Sequence, residues 1–363
     1  FIRKMKLAIM GDVHGKIKQM YDSVSYVEQA FGKNIDAVLQ VGDFQAVRDE
    51  KDLARMAIPG KYKVTGDYPD YHNEGVVPKR TFFIGGNHDN DHWHREHPEG
   101  HELVEGLSYL GRSGVMDLSG TNVAWISGNY SEQSFEGIRK GKKKNKYHHF
   151  TLDDVGKVLK SGEAIDILLL HEWPSIRELS DYIDAGSVKD AENLDHALKR
   201  DVGVRELSDV VKQLKPRYVF AGHQHTDLDL DLDFAGSKTK FVALGKVQSP
   251  ETSFYVLDTD LDKGGRYHLA FDEGGLSDYI QRDSRLRDAF NFLDMDCLDD
   301  AAERFMPLIE DASSETRALA NYGIGVSLFR NLDPSDVDSS IDYFRRSLGD
   351  LELADTHLML SHA

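Results

Sequence analysis

The sequence predicts an α/β domain over residues 1–273, followed by an all-helical segment over residues 276–363. Three observations carry this reading. Short apolar runs alternate with amphipathic stretches through the first part. Five small motifs of Gly, Asp, Asn and His each follow an apolar run, as polar groups do at the C-terminal edge of an α/β sheet. Beyond Gly274-Gly275 the apolar residues keep only a helical spacing.

The elements follow in order. Lys6 to Met10 is a short apolar strand, and Ile17, Met20, Val24, Val27 and Phe31 recur at helical steps behind it. Ile35 to Val41, Thr81 to Ile84 and Val123 to Ile126 are the next strands. Thr151 has the chemistry of an N-cap, with Asp153 and Asp154 in the first turn of a helix reaching Lys160. Ile165 to Leu170 is a buried strand, Val204 to Leu214 a helix, and Arg217 to Ala221 a strand. Leu228, Leu230, Leu232 and Phe234 alternate with Asp227, Asp229, Asp231 and Asp233, which makes a strand with a solvated acidic face. Phe241 to Lys246 and Ser253 to Leu257 supply closing antiparallel strands. Helical spacing then marks segments near 283–294, 298–310, 315–330, 336–348 and 350–362. Leu319-Ala320 and Leu353-Ala354 recur 34 residues apart, a period that suggests a tetratricopeptide-like stack. The chain stops inside the last of these segments, as a longer protein cut short would.

Composition bounds the function. Of 363 residues, 40% are hydrophobic and 29% charged, which is ordinary for a globular protein, and no apolar run approaches a membrane span. Phe1-Ile2-Arg3-Lys4 lacks the apolar centre of a signal peptide, and Met5 is the expected natural start. The lone Cys297 allows no intrachain disulfide, which fits a reducing cytoplasm. The net charge of −18 argues against a globally basic nucleic-acid binder. Leu276 to Ala363 holds 8 arginines against 18 acids and so carries −10 of it, leaving −8 for the rest. One basic run, Arg139 to Lys146, reads as a solvated loop or as an attractor for a polyanionic substrate.

The five motifs are Gly11-Asp12-Val13-His14-Gly15, Gly42-Asp43, Gly86-Asn87-His88-Asp89, His171 and Gly222-His223-Gln224-His225. Asp12 and His14 flank one residue, so a tight turn aims both at one point. Asp43 has the position of a carboxylate shared by two cations, Asn87 offers an amide oxygen, and His171, His223 and His225 offer imidazole nitrogens. Two divalent ions about 3.5–4 Å apart need such a shared carboxylate, and a water between them would ionise near neutral pH to become a nucleophile. The oxygen and nitrogen donor set suits Mn, Fe, Zn or Ni, and lacks the thiolate of an iron–sulfur site. His88, beside Asn87, is placed to donate a proton to a leaving oxygen, with Asp89 to orient it. His92, His94, His97 and His101 form a further cluster, read as a mobile loop rather than a third metal site.

Taken together, the motifs resemble the calcineurin-like metallophosphoesterases over roughly residues 5–260. That resemblance implies a two-sheet β-sandwich flanked by helices. It also implies one ion on Asp12, His14, Asp43 and His225 and another on Asp43, Asn87, His171 and His223. A narrower resemblance lies in Gly42-Asp43-Phe44-Gln45, the stretch from Asp52 to Gly75, Phe83 to His88, His171-Glu172-Trp173-Pro174 and Phe241 to Lys246. These are similar to the RNA lariat debranching enzymes, in which the insertion after the second motif is a recognition loop. Here it would span 47–79, with Lys61, Tyr62, Lys63, Tyr68 and Tyr71 as candidate contacts, since aromatic faces stack on bases and lysines meet phosphates. The chain departs from that family in carrying Asp12 where cysteine is common, and in its helical C-terminal segment. The expected function is a metal-dependent phosphodiesterase on RNA or a nucleotide, with a 2′-5′ branch as a candidate bond. A phosphomonoesterase or nucleotide hydrolase on the same fold, and a non-catalytic scaffold whose helical tail binds a protein, are the alternatives.

Overall fold

The computed structural model of this chain describes residues 5–30, 34–56, 63–137, 147–188, 190–247, 253–259, 263–266, 284–294, 298–311, 313–330, 339–343 and 345–347. Lys61, Tyr62, the basic run 139–146, Gly274-Gly275, Cys297 and the helix expected over 350–362 lie outside them. The chain divides into two compact units, one of Phe1–Ser23 and Ile35–Asp262, the other of Val24–Asn34 and Lys263–Ala363.

The first unit is built on two mixed sheets. Its strands are β1 (Lys6–Met10), β2 (Ala37–Gln40), β3 (Val76–Phe83), β4 (His101–Tyr109), β5 (Ser113–Leu118), β6 (Thr121–Ile126), β7 (Ile167–Leu170), β8 (Tyr218–Ala221), β9 (Leu228–Phe234), β10 (Ser237–Ala243) and β11 (Phe254–Asp258), with β12 (Lys263–Arg266) following. Within this unit one sheet has the order β11-β1-β2-β3-β4 and the other β5-β6-β7-β8-β10-β9. The helices are α1 (Ile17–Ala30), α2 (Glu50–Arg55), α3 (Tyr68–Glu74), α4 (Asp91–Glu96), α5 (Glu132–Phe135), α6 (Leu152–Leu159), α7 (Ile176–Leu179), α8 (Ala191–Lys199) and α9 (Arg205–Leu214).

Side-chain alternation explains the layers. Leu7, Ile9, Leu39 and Phe82 of one sheet meet Val123, Leu169, Phe220 and Val242 of the other in a shared core. The next residue along each strand faces outward. On the second sheet Ala124, Leu168, Leu170 and Ala221 therefore pack beneath Val155, Val158, Ala197, Leu207 and Val210 from α6, α8 and α9. Thr151 caps α6 as expected, in a reciprocal arrangement with Asp154. The apolar face of β9 is buried, and its acidic face is paired in part with Lys238 and Lys240.

The short β12 escapes a reading of periodicity, and so do β4 and β5. The latter two are edge strands, and β4 carries Glu102, Glu105 and Gly106 among its apolar residues, so its pattern is broken where one side faces water. The histidine cluster is not a loop. His92 and His94 lie on α4 and His101 opens β4. His94 is buried with its ring stacked on Tyr109 at 3.9 Å, and His97 stacks on His101 at 4.2 Å. The insertion at 47–79 also has internal structure. It contains α2, α3 and the start of β3, and Arg48 is held by Asp52 at 2.6 and 2.8 Å while lying over the Trp93 ring.

In the second unit, the helices Ser284–Asp294, Leu298–Phe305 and Ser314–Arg330 enclose Leu286, Phe290, Ala301, Phe305, Leu319 and Ala320. Residues 339–343 and 345–347 are also helical. Gly323 sits against the Phe305 ring, where any side chain would collide. The helical expectation holds there, while the Leu353-Ala354 recurrence lies outside the described residues. Among the described residues no helix is long and apolar enough to cross a membrane.

Candidate metal centre

Parallel pairing gathers the motifs. Met10 pairs with Gln40, Gln40 with Phe83, and Leu170 with Ala221, so β1, β2 and β3 of one sheet, and β7 and β8 of the other, end level. The loops leaving those ends carry Asp12 and His14, Asp43, Asn87 and His88, His171, and His223 and His225.

These loops are strained. His14, Asp43, Gln45, His223 and His225 hold positive φ of 48°, 55°, 60°, 67° and 54°. Left-handed backbone is unfavourable for non-glycine residues and persists only where surrounding bonds over-determine it. Those bonds are present. Val13 and His14 donate their N–H groups to the Asp43 carbonyl at 3.1 and 2.8 Å. The His223 N–H reaches both Asp12 oxygens at 3.1 Å, and the His88 N–H donates to Asp43 Oδ1 at 2.7 Å. Gly86 must lack a side chain, because a Cβ there would fall against the Asp43 carboxylate.

Two groups of side chains result. Asp12, His14, Asp43 and His225 place one ligand atom each within 4.8 Å of one another, and so do Asp43, His171 and His223. Asp43 belongs to both. Asn87 Oδ1 lies 3.2 Å from His171 Nε2, which brings it to the second group. His225 Nε2 is 2.9 Å from Asp12 Oδ2 and 2.9 Å from His14 Nε2. His171 Nδ1 lies 2.9 Å from the Val41 carbonyl, an acceptor only, so Nδ1 carries the proton and Nε2 turns its lone pair to Asp43 and Asn87.

The electrostatics suit cations. Burial pushes His171 down to about 3 and His14 down to about 4, so both are neutral imidazoles at neutral pH. Burial, with the charges of Asp12 and Asp89, holds the Asp43 carboxyl well above the usual carboxylate range. Burial also pushes Asp12 upward, but Asp12 is nonetheless lowered, chiefly by its hydrogen bond with His225. Two buried carboxylates beside neutral imidazoles and an amide oxygen fit divalent metal, which would offset the repulsion that Asp43 feels.

The calcineurin-like phosphoesterase family matches residues 5–227. The chain belongs to that family. As a calcineurin-like phosphoesterase it is a hydrolytic enzyme of a class that uses divalent metals. It is 29% identical to the lariat debranching enzyme of Arabidopsis thaliana over 75% of this chain and 67% of that protein. The lariat debranching enzyme of Mus musculus is 30% identical over 74% of this chain and 51% of its own length. That of Drosophila pseudoobscura pseudoobscura is 34% identical over 61% and 42%. This phosphoesterase thus spans about half the length of most of these relatives.

All seven expected metal ligands converge in its site. His88 is at its edge, with its ring 5.0 Å from that of His14 and its pKa lowered chiefly by burial. Asp89 accepts from the N–H groups of Gln45 at 2.6 Å and Gly86 at 2.7 Å, so its carboxylate braces the backbone of two motif loops. Of the candidate RNA contacts, Tyr68 is fully buried beside His72 and Trp93, which corrects its reading as an exposed stacking face. Its position at the start of α3 turns the ring into the protein. Tyr71 is half-buried beside Tyr21, and Lys63 Nζ donates to the Ala54 carbonyl at 3.1 Å. Gln40 went unnoticed in the sequence. It is buried at the end of β2, where its amide bonds Gly11 and Gly42 and ties the first two motif loops together. The only signal was a polar residue closing an apolar run.

Proposed function

We propose that this chain is a binuclear metal-dependent phosphodiesterase of the lariat-debranching type, acting on RNA at a 2′-5′ branch. The observation that supports it most is Asp43, shared by two ligand groups that between them offer Asp12, His14, His225, Asn87, His171 and His223. Two divalent ions bound there, drawn from Mn, Fe, Zn or Ni, would supply Lewis-acid stabilisation of phosphoryl charge and acidify water. The protein's own groups do the rest. Strained loops hold the ligands in place before the substrate arrives, so little reorganisation is needed. His88 stands beside His14 at the rim and donates a proton to the departing ribose oxygen. Burial lowers its pKa in the free protein, and the negative phosphodiester raises it again on binding. The insertion at 47–79, with Lys61, Tyr62, Lys63 and Tyr71, is assigned the RNA strand beyond the phosphate. Similarity to proteins named lariat debranching enzymes supports the branched substrate.

The test is a synthetic 2′-5′ branched RNA beside a linear 3′-5′ control, each with and without Mn²⁺. Metal-dependent cleavage of the branch alone is expected. Equal cleavage of both RNAs would overturn the branch preference. Turnover of p-nitrophenyl phosphate but not of bis-p-nitrophenyl phosphate would instead make the protein a monoesterase.

A further inference from the structure

The carboxylate of Glu172 has no part in either ligand group, yet it is buried beside one of them. Glu172 is 7% exposed and directly follows His171. Its Oε2 lies 3.6 Å from His223 Nε2. Its Oε1 accepts from the Trp173 N–H at 3.1 Å and from Gln224 Nε2 at 3.5 Å. One side chain therefore touches the loop after β7 and the loop after β8, each of which carries a ligand of the second group.

We infer that Glu172 is a positioning residue, which fixes the ring of His223 so that Nδ1 is presented to the second ion. Imidazole has two nitrogens, and an acceptor at one decides which is left for metal. A carboxylate oxygen 3.6 Å from Nε2 favours the tautomer with its proton there and leaves the Nδ1 lone pair free. Such an outer carboxylate also makes the ring a stronger donor, and its loss typically weakens metal binding 10–100-fold. Two neighbours make the arrangement rigid. Trp173 Nε1 donates to the Gly222 carbonyl at 2.7 Å, immediately before His223. The His223 N–H is held by Asp12. Backbone and ring are thus fixed from separate sides, and only the ring depends on Glu172. His171 needs no such help, because the Val41 carbonyl already sets its tautomer.

This inference rests on the two-ion reading of the site. The experiment is calorimetric titration of the metal-free 363-residue chain with Mn²⁺, for the unsubstituted protein, Glu172→Gln and Glu172→Asp, with thermal unfolding of each metal-free protein. Glu172→Gln keeps the volume and an oxygen acceptor for the Trp173 N–H, but loses the charge. The expected result is unchanged affinity for one ion and affinity about 10–100-fold weaker for the other, with a metal-free melting temperature close to wild type. Saturating Mn²⁺ should restore kcat, and Glu172→Asp should recover part of the affinity. Wild-type affinity for both ions in Glu172→Gln would overturn the proposal. So would a lowered metal-free melting temperature with both affinities unchanged, which would make Glu172 a structural residue only. A wild-type chain that binds fewer than two ions would overturn the two-ion reading itself, and that failure is visible before any variant is compared.

Discussion

Asp43 concentrates the chemistry of this site in one side chain. It is buried, faces Asp12, and belongs to both ligand groups. Asp43→Asn should abolish turnover and lower the bound metal, as read by elemental analysis. Two ions per chain with normal activity in this variant would end the two-metal reading. The same residue sets a pH dependence. Its carboxyl is raised, so a bound ion must displace a proton from it, and apparent affinity should increase as pH rises. His14 and His171, pushed down to about 4 and about 3, are unprotonated above that range and do not compete. Mn²⁺ titrations in two buffers of different ionisation enthalpy should therefore give different apparent enthalpies at mildly acidic pH. Identical enthalpies would mean that no proton is released. His88 separates binding from chemistry. His88→Ala should keep its metal yet lose on the order of 10²–10⁴ in rate on substrates with poor leaving groups. Activated aryl esters, which need little protonation, should lose much less, and an equal loss on both would point to a purely electrostatic role.

Single elements are joined to one another by buried polar ties. Arg112, between β4 and β5, makes several of these. Its guanidinium pairs with Asp154 on α6 and donates to the carbonyls of Tyr147 and His149. Both partners of the ion pair are largely shielded from water, so removing one leaves a buried charge uncompensated. Arg112→Ala should lower stability on the order of 3 kcal/mol in urea unfolding. Asp154→Asn should do comparable damage, since Asp154 also caps α6 through Thr151. A change of a few tenths of a kcal/mol would show that the network is solvated after all. The charge pattern had suggested Asp154 as a first-turn acid, but not a partner 42 residues away.

At the scale of the molecule, two units each have their own apolar interior. Every candidate ligand lies before residue 226, and residues 276–363 carry a net charge of −10 in sequence. A fragment of residues 1–275 is therefore expected to fold and to hydrolyse bis-p-nitrophenyl phosphate with Mn²⁺ at a rate near that of the full chain. For the helical segment we propose the binding of another protein, a role suited to paired amphipathic helices. An insoluble fragment, or a soluble one that is inactive with metal supplied, would show instead that the helices complete the catalytic domain.

The candidate ligands can be picked out in the sequence because each sits in a short motif directly after an apolar strand. Strand ends and tight turns are local properties, and parallel strands that end level bring such motifs together without further instruction. Residues Asp12, His14, Asp43, Asn87, His171, His223 and His225 could be named for that reason. What the sequence could not decide was burial between distant segments. Tyr68 reads as a base platform in isolation and is a core residue because α3 rolls it against Trp93. Edge strands β4 and β5 lack the full apolar alternation that marks a central strand. Gln40 braces Gly11, and Asp89 braces Gln45, through backbone groups that only the folded chain brings near. Local sequence determined which atoms could bind metal, and tertiary packing decided which of them are held still, because a ligand's orientation depends on neighbours contributed by other strands.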